Sequence, residues 1–74
     1  MMSDVKIGKG LKKDPENEGW VLGWGVLQDS PWLLAGVYAT PGDAQAEAKR
    51  NGSSFRVLEG SYQLGTQNFI FFGE

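Results

Sequence analysis

Residues 19–39, GWVLGWGVLQDSPWLLAGVYA, hold all three tryptophans, one of the two tyrosines and a dense run of aliphatic side chains, so the rest of the chain must be arranged around them. Over residues 20–27 the side chains alternate. Trp20, Leu22, Trp24 and Val26 fall on one side and Val21, Gly23, Gly25 and Leu27 on the other, and a period of two is that of a strand. Gln28, Asp29, Ser30 and Pro31 are turn formers, after which an apolar run resumes at Trp32. The stretch therefore reads as a β-hairpin. A four-residue turn puts Leu27 opposite Trp32, which sets Val26 against Leu33, Trp24 against Ala35 and Leu22 against Val37, all on one large apolar face. The other face then brings Gly23 opposite Gly36 and Val21 opposite Tyr38, and a glycine pair in mid-hairpin allows close approach by another backbone or an aromatic ring.

The rest of the 74 residues supply smaller pieces. Thr40 is a good helix N-cap, Pro41 suits the first helical position, and Asp43 sits near the positive end of the dipole. Lys49, Arg50, Asn51 and Gly52 form the matching stop. The expected buried stripe of this helix is thin, Ala44 and Ala48 with Ala46 flanking, so the helix must lie close against a sheet. Beyond it, residues 55–62 read as a strand with Phe55, Val57 and Glu59 on one face and Arg56, Leu58 and Tyr62 on the other. A turn then leads into Phe69, Ile70, Phe71 and Phe72, four large apolar residues in a row, which need cover on both faces or a partner. Upstream, residues 1–18 read as a partly flexible leader or, at residues 5–7, as a short edge strand protected by Lys6 and Lys9. Residues 12–19 lack any apolar side chain and read as an exposed loop.

These pieces assemble as one α+β domain spanning residues 1–74. Its two layers are a mostly antiparallel curled sheet of four or five strands and one short helix, in the order β-β-β-α-β-β, the first strand depending on whether residues 5–7 pair.

Composition narrows the chemistry. With no cysteine there is no disulfide, thiolate metal site or thiol nucleophile, and with no histidine the usual general base near neutral pH is missing. No cofactor and no metal is therefore expected. Seven Lys and Arg against nine Asp and Glu give a formal net charge of −2, a poor match to a chain that neutralises phosphates. The apolar stretches are too short to span a bilayer, and no signal-peptide h-region precedes them, so the chain reads as soluble and cytoplasmic. Among eleven glycines, neither G-x-G, at Gly8 and Gly10 or at Gly23 and Gly25, extends to a dinucleotide or P-loop motif.

Two constellations compete as binding elements. The aromatic set, with Trp32, Tyr38, Phe69, Phe71 and Phe72 as the expected contact residues, suits protein–protein contact, either self-association or docking on a larger partner. The alternative is a small-ligand or nucleic-acid site using Lys6, Lys9, Lys12 and Lys13 with an exposed tryptophan, although Asp14, Glu16 and Glu18 cancel much of that field and no cation is interleaved with the aromatics of residues 20–39. For catalysis, Glu59 is the one carboxylate in a half-buried strand, and no orienting partner shares its face. The sequence thus favours a small non-enzymatic interaction domain.

Overall fold

The computed structural model describes residues 5–72. Any part of the leader reading that concerns residues 1–4 lies outside them. The elements run β1 (Lys6–Ile7), β2 (Lys12–Lys13), β3 (Trp20–Asp29), β4 (Trp32–Tyr38), α1 (Pro41–Asn51), β5 (Arg56–Gln63) and β6 (Phe69–Phe71). They form a six-stranded mixed sheet, open rather than closed, in the spatial order β1-β4-β3-β5-β6, with β2 also on β3. This is the α+β class with a curled sheet and one helix, carrying one strand more than the sequence suggests. Among the described residues no helix is long and apolar enough to cross a membrane.

β3 is the axis of the sheet. Along one side it pairs antiparallel with β5 from Trp20 opposite Gln63 to Leu27 opposite Arg56. Along the other, β4 covers only its second half, and β2 takes up the vacant first half, with Lys12 opposite Leu22 and Lys13 opposite Val21. The extra strand lies where residues 12–19 read as loop. Ladder pairing needs only main-chain groups, so two exposed lysines can form a strand without apolar patterning. Residues 6–7 and 12–13 are thus part of the sheet, β1 pairing parallel with β4 through Lys6 opposite Gly36 and Ile7 opposite Val37.

The hairpin is present with a different register. Its turn is the two residues Ser30 and Pro31, joined by a cis peptide bond, so Asp29 faces Trp32 and Leu27 faces Leu34. A shift of two residues leaves every side chain on its expected face. A β-bulge then breaks step beyond Leu27, leaving Ala35 as the extra residue and setting Val26 opposite Gly36, Gly25 opposite Val37 and Trp24 opposite Tyr38. One inserted residue exchanges the two faces of the strand that carries it. Val37, expected beside Leu22, enters the glycine side, and Tyr38, expected beside Val21, moves to the tryptophan side.

Two apolar clusters result. Above the sheet, α1 seats Ala44 and Ala48 on Val26, with Trp24, Ala35, Tyr38, Phe55 and Val57 around them. Thr40 caps the helix, its Oγ1 accepting from the amide of Asp43 at 3.2 Å, and at the far end the Gly52 amide donates to the Ala48 carbonyl. The expected stripe needs one correction: Ala46 is exposed, and Glu47 is the third buried helix residue. Below the sheet, Val21, Leu27, Leu34, Val37, Tyr62 and Phe69 form the larger cluster, with Val5, Leu11 and Leu58 packed against it. Gly23 and Gly25 form its floor. A Cβ on Gly23 would meet Leu11 Cδ2 at 2.6 Å, and one on Gly25 would meet Phe69 Cζ at 2.8 Å, so both apolar groups rest directly on backbone.

Candidate functional site

Among the described residues strand β6 makes one edge of the sheet, beside β5, with Phe69 opposite Tyr62, Ile70 opposite Ser61 and Phe71 opposite Gly60. The alternation along this strand separates its aromatics. Phe69 turns down into the larger core and is 8% exposed, whereas Ile70, Phe71 and Phe72 are 59%, 43% and 50% exposed. The four-residue apolar run therefore receives cover for its first member only. On the upper face Ile70 follows Ser61 and Leu22 across the sheet, beyond the reach of α1, which contacts β3, β4 and β5.

The hydrogen bonds fix what this edge presents. Phe72 donates its amide to the Glu59 carbonyl, and Gln63 donates to the Asn68 carbonyl. In an antiparallel ladder the groups of alternate residues point the same way, so Asn68, Ile70 and Phe72 face β5. Phe69 and Phe71 direct their N–H and C=O groups away from the sheet.

The other contact residues expected from the sequence are not gathered here. Trp32 is 45% exposed at the hairpin tip. Through Gly60 and Gly23, Phe71 is level with a point on β3 six residues before Asp29, the partner of Trp32, which places the two roughly 20 Å apart along the strand. Tyr38 is half-buried beside the helix, where burial first, and then the charge of Glu47, pushes its hydroxyl pKa up. Phe69 is core.

The four lysines are also dispersed. Lys6 shares the helix side with Glu47, whereas Lys12 and Lys13 occupy successive positions of β2 and so point to opposite faces. From Lys13 opposite Val21 to Trp32 opposite Asp29 is eight residues of β3, or about 26 Å, too far for one compact site.

Three carboxylates, Asp14, Asp29 and Glu47, have hydrogen-bonding partners within the domain. Glu59 is exposed, opposite Trp24. Among the described residues the buried acid is Glu47, which lies beside Ala48 and one turn after Ala44 on the buried stripe of α1, where a carboxylate is not expected. Its carboxylate accepts from Arg50 Nη2 at 2.6 Å and Nε at 3.1 Å, from Asn51 Nδ2 at 3.1 Å and from Lys6 Nζ at 3.5 Å. The Arg50 hydrogen bond is the main reason its pKa lies below the usual range. The i, i+3 spacings to Ala44 on the expected stripe and to Arg50 were the signals in the sequence that could have marked it. Asp14 accepts from the Glu16 amide, from Asn17 Nδ2 and from Ser61 Oγ at 2.8 Å, which folds the acidic loop and lowers the Asp14 pKa, the Glu16 amide acting most.

A shallow groove of about 550 Å³ runs between the end of α1 and the start of β5, lined by Ala48, Lys49, Phe55, Arg56 and Val57 among others. Its Arg56 is held by Asp29 at 2.9 Å. No family model, curated protein or solved structure matches the chain. Fold and surface together define a small α+β domain in which three of the six exposed large apolar side chains among the described residues, Ile70, Phe71 and Phe72, lie together at one sheet edge, the others being Ile7, Trp32 and Leu64.

Proposed function

We propose that this chain is a small non-enzymatic interaction domain that acts through protein–protein contact at β6. The observation that carries this reading is the coincidence, on β6 and the residue after it, of two outward-facing main-chain donor–acceptor sets with the half-exposed Ile70, Phe71 and Phe72. An edge of that kind accepts another strand by β-augmentation, in which the backbone supplies affinity and alternate side chains supply selectivity. The carboxylates support the same reading, because Glu47 and Asp14 are each held by several hydrogen bonds within the domain. Trp32 serves as a separate, smaller contact at the hairpin tip.

The test is site-specific photocrosslinking in the cells that make the protein. A benzophenone side chain at position 72, where Phe72 is half-exposed, should yield covalent protein adducts, while the same group at the exposed Ala46 of α1 should not. Absence of adducts at position 72 overturns the interaction reading.

A further inference from the structure

Resting on that reading, we infer that the occupant of the β6 edge is a second copy of the chain, paired antiparallel about a twofold axis at Ile70. The open groups belong to Phe69 and Phe71. In an antiparallel pair centred on Ile70, each Phe69 lies opposite the Phe71 of the second copy, and the two pairs exchange roughly four main-chain hydrogen bonds. The arrangement is its own complement, as a twofold interface requires. Ile70 then meets Ile70 as a non-hydrogen-bonded pair, in which side chains approach most closely. On the lower face each exposed Phe71 comes beside the other copy's Phe69 and extends that core.

Charge selects the same occupant. No Asp, Glu, Lys or Arg occurs between Glu59 and Glu74, so the edge offers nothing to a charged partner and nothing that repels its own copy. The opposite edge, β1, sets the exposed Lys6 beside the exposed Ile7 and is followed by Lys9. Lysine on an edge strand discourages pairing. The twofold pairing uses the β6 edge of both copies, so assembly closes at two copies and does not run on into a fibre.

The size of the patch sets the strength. Three side chains about half exposed offer on the order of 300 Å² per copy, or about 600 Å² in all, less than half of a standard interface. The dimer is therefore weak and forms by mass action at high concentration.

Sedimentation of the full chain across a concentration series should show the average mass rising from 8.1 kDa toward twice that value. Over the same series, amide exchange at Phe69 and Phe71 should slow by about tenfold or more, while exchange at Ile70, already bonded to β5, should change little. I70K, a substitution at an exposed side chain, should hold the chain monomeric with its circular dichroism unchanged. A constant mass at millimolar protein, or exchange at Phe69 and Phe71 that ignores concentration, overturns the self-pairing. Crosslinks at position 72 to a protein of another mass, with the purified chain monomeric, also overturn it while leaving the interaction reading standing.

Discussion

On one face of β3 stand Trp20, Leu22 and Trp24; on the other, Gly23 and Gly25 lie between Val21 and Leu27, and the face with the glycines is the deeper of the two. Trp20, Leu22 and Trp24 are only half-buried, because the cluster under α1 is centred on Val26 and takes in Trp24 but neither Trp20 nor Leu22. On the glycine face Leu11 and the Phe69 ring come down to the backbone, and Val21, Leu27, Val37 and Tyr62 are sealed with them. Burial here follows how close the covering layer can come. A large side chain on a strand keeps its cover at a distance, whereas a glycine lets the cover supply the large side chain itself.

The sharpest way to break this contrast is a side chain at Gly60, which lies beside Gly23 on the same face. A Cβ there runs into the carbonyl of Ile70 and within 2.7 Å of the Phe71 Cα, both main chain and unable to rotate away. Gly60→Val should detach β6 and cost about 3 kcal/mol or more, read as a fall in the denaturation midpoint. A change well under 1 kcal/mol would show that the glycine face is not closely packed. Truncations compare the faces directly. Phe69→Ala should cost about 3–4 kcal/mol through the cavity it leaves, and Trp20→Ala on the other face only about 1 kcal/mol despite its larger side chain. The reverse order would overturn the comparison.

The smallest effect concerns the ion pairs flanking the helix face. Glu47→Gln should cost about 1 kcal/mol at neutral pH, since its cationic partners Lys6 and Arg50 are largely solvated. The Glu47 and Asp14 pKa values are both lowered by folding. Such groups contribute stability that is present above their unfolded pKa and lost as pH falls through the folded one. Unfolding free energy should therefore be level near neutrality and decline below about pH 4, with a shallower decline in Glu47→Gln. Equal slopes in the two proteins would remove Glu47 from that account.

The helix was legible in the sequence because its signals are local. Thr40, Pro41 and Gly52 mark its ends whatever it packs against. The face assignment of β5 was legible for the same reason, Phe55 and Val57 joining the helix side and Leu58 and Tyr62 the other. The bulge at Ala35 was not, because nothing in the composition of WLLAGVY distinguishes an inserted residue from a paired one, and Val37 and Tyr38 changed faces with it. β2 escaped notice because Lys12 and Lys13 pair through their backbone alone. At the candidate site the sequence groups Phe69 with Phe71 and Phe72 as expected contact residues, since a run of four apolar residues does not say which one finds a floor such as Gly25.

Residues 5–13 reach their places only against strands made after them: β1 against Gly36 and Val37, β2 against Val21 and Leu22, and Leu11 over Gly23. The order of synthesis and the order of docking are therefore opposed. β1 has no strand to join until residue 37 has left the ribosome, and the lower core is complete only when Tyr62 and Phe69 have followed.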